Sequence, residues 1–298
     1  FAHRATITLH GDRWNTVELP FIGSKMLAVT NLGGLHGGCH VHTANTDAGA
    51  HQGAAAQARN RLADPCPVRK VGQLLLYGAD GRAWTHLAES APAGADRLRL
   101  AEPVNWPVGA TVVVTRSSPS ESDEERAIAA VEDGGSTLLL AAPLSRFHLA
   151  EFYWHNDTAA PADLRAAVGL LERNVRVQGD ASTLRAGNSY QFGAHTGAFF
   201  GGVMRVSNVE YRRTGQAANF GRYTSHWHQL SPGRNVDVSD GAGYIRNCSF
   251  HDTFQRAVVV HGTDFARVTG NMAYRAKGHN FFTEAGDEDF ALFEHNLA

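Results

Sequence analysis

Two histidines flank a tryptophan at His226-Trp227-His228. In an extended strand, residues two apart project to one face, so both imidazoles share a side and Trp227 turns the other way, into the core. Paired imidazoles on one face are a common start of a metal site, which needs one or two further ligands. Downstream lie His251, His261, His279, Glu284 and Asp287. The candidate metal ligands are His226, His228, His261 and Asp287. The candidate catalytic groups are His228, His251, His279 and Glu284. For any one of these histidines, a plain hydrogen bond to a neighbouring strand is the competing role. Arg222 and Arg256 are candidate anion binders, because the guanidinium fork grips a carboxylate with two hydrogen bonds. Each could equally hold a structural ion pair. Lys277 is one of only three lysines and is a candidate substrate or proton-transfer group, against the commoner role of a solvated surface lysine.

Two reactions suit such a set. Hydrolysis of a glycosidic bond wants two carboxyl groups flanking it, and Glu284 with Asp287 or Glu288 would supply them. Proton abstraction beside a carboxylate, followed by elimination, wants one base and a cation or arginine to neutralise charge; a histidine suits the base. Spacing alone does not choose between them.

The elements that position these residues repeat. Asparagines recur at Asn174, Asn208, Asn247, Asn271 and Asn296, so successive members are 34, 39, 24 and 25 residues apart. A period in the twenties built from short β-rich runs marks a solenoid, in which coils stack to bury the apolar face that no coil buries alone. An asparagine in every coil would build a hydrogen-bonded ladder, and outward residues would build a long groove. Before the repeats, strands are expected at 5–10, 25–29, 73–77, 97–100, 111–115 and 136–140 from alternation and β-branched content. A short helical turn is expected at 121–128. A Gly/Ala/His-rich stretch between Gly33 and Lys70 reads as an inserted loop. It carries His36, His40, His42 and His51, a second histidine cluster with only a weak claim to metal.

Composition narrows the class. The chain has 298 residues, a net charge of −2 and no basic stripe, so no nucleic-acid partner is expected. No run of about eighteen apolar residues is present to cross a membrane as a helix. The chain starts at Phe1 and stops inside a repeat at Ala298, and reads as a piece of a longer protein; any membrane attachment is expected from segments outside it. Three cysteines are too few for a disulfide scaffold. Cys39 and Cys66 would close one loop and leave Cys248 in a coil, or all three are reduced. Asn156-Asp157-Thr158 is a glycosylation sequon if the chain is secreted. Trp14, Trp84 and Trp106 are candidate sugar-stacking residues, with a core role the better fit for the last two.

Several blocks resemble a known family. Trp84-Thr85-His86-Leu87, Trp106-Pro107-Val108-Gly109 and Ala142-Pro143-Leu144 occur in the order of a glycine-rich domain named for eight glycines. GLLERNV at 169–175, GRYTSHWHQL at 221–230, YIRNCSFHDTFQRAVVVHG at 244–262 and GHNFFTEAGDE at 278–288 resemble the β-helix that follows it. Together they resemble the ectodomain of the cell migration-inducing hyaluronidase family, its cell-surface relatives and the fibrocystin-like proteins. The resemblance implies a right-handed parallel β-helix (151–298) preceded by a glycine-rich β domain (1–150). It also implies an extracellular protein that depolymerises hyaluronan or a related uronic-acid polysaccharide, with calcium as a cofactor. A non-catalytic polysaccharide-binding or adhesion module is the alternative. Thr224, Ser225 and Ala285 depart from the family pattern; Ala285 stands where the family has an aspartate. The histidine-rich candidate set sits poorly with calcium, which prefers oxygen ligands, and leaves room for zinc or another transition metal.

Overall fold

The computed structural model describes residues 4–10, 24–29, 72–155, 159–181, 191–199, 201–230 and 243–298. Over these the chain is a three-faced parallel β-helix with an antiparallel module inserted after its first coil. The first coil is β1 (Ala5–Leu9), β2 (Met26–Val29) and β3 (Gln73–Tyr77). The module follows: β4 (Trp84–His86), β5 (Arg97–Arg99), β6 (Thr111–Val114), β7 (Glu124–Glu132), β8 (Thr137–Leu140), β9 (Phe152–Tyr153), β10 (Ala162–Asp163) and β11 (Ala167–Leu170). The chain then returns to the solenoid. Coil two is β12 (Val175–Gly179), β13 (His195–Phe199) and β14 (Val203–Ser207). Coil three is β15 (Val209–Arg212), β16 (Ser225–His228) and β17 (Gly243–Arg246). Coil four is β18 (Ser249–His251), β19 (Val258–His261) and β20 (Arg267–Thr269). Coil five is β21 (Met272–Tyr274), β22 (Phe281–Thr283) and β23 (Leu292–Glu294).

Each face is one sheet. The first runs β1-β12-β15-β18-β21, the second β2-β13-β16-β19-β22 and the third β3-β14-β17-β20-β23. All these neighbours pair in parallel, as stacked coils require. Inward positions close on a shared core that includes Val177, Met204, Tyr211, Trp227, Ile245, Phe250, Val260 and Val268, each fully buried. Tyr211 and Phe250 stack ring on ring with centroids 4.8 Å apart, one coil above the other. Burying each such side chain contributes about 1.5–3 kcal/mol, so the interior holds the stack together.

This topology corrects the expected boundary near residue 150. The first three strands belong to the helix, because β1, β2 and β3 pair with β12, β13 and β14. The module is a six-stranded sheet, β4-β11-β6-β7-β8-β5, with its own core around Leu87, Leu98, Val112, Ile128, Leu138 and Val168. It docks on the first face. Met272 packs with Ala83, Val113 and Leu171, and Ser249 Oγ donates to the Leu170 carbonyl. The six expected strands are present as β1, β2, β3, β5, β6 and β8. The helical turn expected at 121–128 is instead the start of β7, which pairs with β6 on one side and β8 on the other. Two hydrogen-bonded neighbours outweigh the helical preference of its Glu, Arg and Ala residues. Trp14, His36, His40, His42, His51, Cys39, Cys66, Asn156 and the expected loop at 33–70 lie outside the described residues.

The asparagine repeat is two rows rather than one. Pairing of the flanking strands puts Asn208 level with Asn247, and Asn247 level with Gly270, so Asn271 falls one position later, beside Cys248. Asn208 and Asn247 hold left-handed backbone at the corner (φ 58° and 50°), a conformation asparagine tolerates. Gly270 takes that place in the next coil at φ 66°, where a Cβ would sit 2.4 Å from Asn247 Oδ1. The second row is a true ladder. Asn271 Oδ1 accepts from the Cys248 N–H (2.9 Å), and its Nδ2 donates to Ile245 O (2.9 Å) and to Asn296 Oδ1 (3.0 Å).

Candidate functional site

The second face carries the candidate chemistry. Strand pairing sets Phe199 beside His228 and His228 beside His261. One coil further, Val260 pairs with Thr283, so Glu284 comes next in this column, and its N–H donates to Val260 O (3.0 Å). Two residues back, His226 follows Gly197 in a parallel column that continues through Val259 and Phe282. Trp227, between the two histidines, points into the core at 0% exposure. The alternation expected from sequence therefore holds, and it brings three histidines and one carboxylate together on the outer side.

Their contacts are close. His228 Nδ1 and His261 Nδ1 are 3.0 Å apart. Glu284 Oε2 lies 3.6 Å from His261 Nδ1 and 3.9 Å from His226 Nε2. Glu284 Oε1 is held by the Tyr223 hydroxyl (2.7 Å) and by Arg256 (3.1 Å), whose guanidinium also donates to the Tyr223 oxygen (2.9 Å). Arg256 lies over the rings of Phe282 and Tyr223 at 4.1 and 4.9 Å. One oxygen of the carboxylate is thus pinned, while the other faces the imidazoles. Burial, then the hydrogen bond to Glu284, raises the Tyr223 hydroxyl above its ordinary range. Burial, with His228 and His261 alongside, holds His226 well below the usual histidine range, so its ring is neutral. Its Nδ1 faces the Gly221 carbonyl at 3.3 Å. A carbonyl only accepts, so Nδ1 carries the proton and Nε2 presents a bare lone pair. That buried Nε2 has no hydrogen-bond partner among the described residues.

A lone pair buried without a partner, on a ring whose other nitrogen is held by a backbone carbonyl, is how ligating histidines are prepared. One ring nitrogen from each of His226, His228 and His261 lies within 4.8 Å of the others. Three imidazoles suit zinc or another borderline metal. They do not suit calcium, which takes six to eight oxygens; the one carboxylate in the cluster already has an oxygen committed to Tyr223 and Arg256. Asp287, expected as a ligand, is exposed on the loop after β22 and is not in the group. Its neighbour Glu288 caps that loop instead, accepting from the N–H groups of Gly262, Ala285 and Gly286.

Other expected site residues fall elsewhere. His251 belongs to β18 on the first face, where it is buried between Glu210 (3.1 Å) and Asp252 (2.9 Å). Residues on different faces of the helix cannot converge, and this histidine is a structural ion-pair partner. His279 is exposed at the rim, its ring stacked on Phe282 at 4.5 Å. Arg256 is in the cluster but is engaged by Glu284, a protein carboxylate. The charge of Arg222 acts on buried His195. Lys277 is exposed at the corner between the first and second faces, beside Thr253. Trp106 is buried core at 3% exposure, and the Trp84 indole donates to His295 O. Cys248 is buried and free. Tyr223 was missed by sequence reasoning, although it stands three residues before His226 in GRYTSHWHQL.

Fold and site together define a parallel β-helix with a histidine–glutamate cluster on one outer face. Residues 191–298 match the family model described as CEMIP beta-helix. The chain is 30% identical to fibrocystin-L of Homo sapiens over 336 aligned positions, covering 100% of the chain and 7% of that protein. It is 32% identical to the cell surface hyaluronidase of Danio rerio over 148 positions, covering 45% of the chain and 10% of that protein. It is 29% identical to the cell migration-inducing and hyaluronan-binding protein of Mus musculus over 209 positions, covering 65% and 14%. The chain carries a CEMIP β-helix domain and is a relative of the fibrocystin-like proteins and the cell-surface hyaluronidases. It spans at most 14% of the length of these three relatives. No helix among the described residues is long and apolar enough to cross a membrane.

Proposed function

We propose that the chain is part of an extracellular protein that engages a uronic-acid polysaccharide of the hyaluronan type along its second face, and cuts it there. The observation that carries this reading is the placement of Glu284 Oε2 beside His226, His228 and His261. The relatives named for hyaluronan and the cell surface support the choice of polymer and compartment.

Among the described residues the cluster holds one carboxylate, so hydrolysis by two flanking carboxyl groups has no second partner here. Elimination needs less. A base removes the proton beside the uronate carboxylate, a double bond forms in the ring, and the glycosidic C–O bond breaks with the electron pair leaving on oxygen. Glu284 Oε2 is the available base, and its other oxygen is fixed by Tyr223 and Arg256 so that it stays aimed. His226, His228 and His261 would hold a metal of the zinc class, whose charge would neutralise the uronate. The test is incubation with hyaluronan while following polymer length and the ultraviolet absorbance of unsaturated ends. Shortening with unsaturated ends supports elimination; shortening without them supports hydrolysis.

A second reading is a module that binds polysaccharide without cutting it. The single carboxylate favours it, as does alignment with fibrocystin-L across the whole chain. Retained binding with no new chain ends under any metal condition would establish it.

A further inference from the structure

At the corner between the first and second faces lies a pocket of about 440 Å³, walled in part by Arg212, Arg213, Arg275 and Lys277. Asp252 is the one acidic residue in its wall, and it is already bound to His251 (2.9 Å) and Arg275 (2.8 Å). Arg213 is tied back to Gly179 O and Gln178 Oε1. Arg275 is held as well, by Asp252 and by Glu125 (2.6 Å), so Arg212 and Lys277 are the cations that keep capacity. Among the described residues Lys277 has no ion pair, and Arg212 Nε is buried without a hydrogen-bond partner. The wall also presents Gln191, whose buried Oε1 has no partner. Burial, then the charges of Arg212 and Arg176, lowers the Arg213 guanidinium, as expected where cations crowd.

We propose that this pocket is a subsite for the carboxylate of a sugar unit in an acidic polysaccharide. Arginine and lysine donors converge there, and Phe254 supplies an apolar wall for a ring. The inference rests on the polysaccharide reading above and adds to it a place where the polymer is gripped away from the histidines. Two short stretches join pocket and cluster. Thr253 of the wall leads to Arg256, and Lys277 leads through Gly278, which lies so close that a Cβ would be 2.8 Å from Arg256 N. A chain lying across the second face reaches the pocket at its edge.

The test is binding of a fluorescent hyaluronan oligosaccharide, read by anisotropy, to the protein and to Lys277→Glu and Arg212→Gln. Competitors are the same oligosaccharide with its carboxyls reduced to alcohols, and dextran sulfate. Lys277 is exposed, so its variant keeps the fold; circular dichroism checks Arg212→Gln. The expected result is roughly ten-fold or greater weakening in each variant, in line with loss of a charge-assisted contact, with no competition by the reduced oligosaccharide. Unchanged affinity in both folded variants would overturn the pocket while leaving the polysaccharide reading intact. Binding of dextran sulfate alone would overturn the carboxylate assignment. No binding of any polymer by the unmodified protein would overturn the polysaccharide reading, and the subsite with it.

Discussion

His228 and His261 meet nitrogen to nitrogen at 3.0 Å across two stacked coils, on positions that the strand register pairs directly. Two Nδ1 atoms at that distance hold one proton between them or share a metal, because two N–H groups cannot point at each other. With the bare Nε2 of His226 nearby, the donor set is the one the proposed zinc-class metal would need.

Zinc binding should show this directly. Isothermal titration should give one tight zinc site and no matching calcium site. His228→Ala should weaken zinc by at least about 100-fold, since even loss of a ligand's supporting contacts costs 10–100-fold. Calcium binding that His228→Ala removes, with no zinc site, would refute the donor assignment.

Glu284→Gln should separate binding from cutting. The amide keeps the shape but is a far weaker base, so polymer should bind and remain uncut. The Arg256 charge, 14% exposed, would also lose its counter-ion. Stability should fall by about 1–3 kcal/mol, read as a lower urea midpoint.

His251 should govern stability rather than activity, with a definite pH dependence. Burial opposes its charge, but the hydrogen bonds to Asp252 and Glu210 win and raise it above the ordinary value of 6.5. Its contribution is therefore complete below about pH 6.5 and fades as pH rises through the folded value. Burial alone would raise Glu210, yet His251, Arg176 and the Arg173 N–H bring it below 4.5. That contribution is present above about pH 4.5 and fades as pH falls through the folded value. Urea midpoints of the protein and of His251→Gln should differ most between these limits and converge at alkaline pH, with cutting unchanged at pH 6.

The ladder and core should set the strength of the stack. Asn271→Ala would leave the buried Cys248 N–H without its acceptor, at a cost of about 1–3 kcal/mol. Trp227→Ala would empty the core beneath the site, at about 3–5 kcal/mol. Both are checked by denaturant unfolding. A loss below 0.5 kcal/mol in either, on the order of an ordinary surface change, would contradict the packing described.

Local periodicity made much of this legible. His226, Trp227 and His228 alternate out, in, out as a strand dictates, and GRYTSHWHQL carries both the site and its family likeness. What sequence missed depends on register. Asn247 and Asn271 look equivalent along the chain, yet the strands pair Asn247 with Gly270, because the asparagine is the first residue of the two-residue corner in one coil and the second in the next. His251 looks like one more member of the cluster until its strand is assigned to a different face. Asp287 is three residues beyond Glu284, but the chain has left the strand and turned outward. The module's place, inside the solenoid, follows from long-range pairing of β1 to β3 with β12 to β14, which no local pattern announces.

The most direct measurement is the length of hyaluronan after incubation with the protein, with zinc, with calcium and with chelator, beside His228→Ala of equal circular dichroism. The account predicts shortening by the unmodified protein with zinc, arrested by chelator and absent in His228→Ala. No shortening under any condition, or equal shortening by His228→Ala, would contradict it.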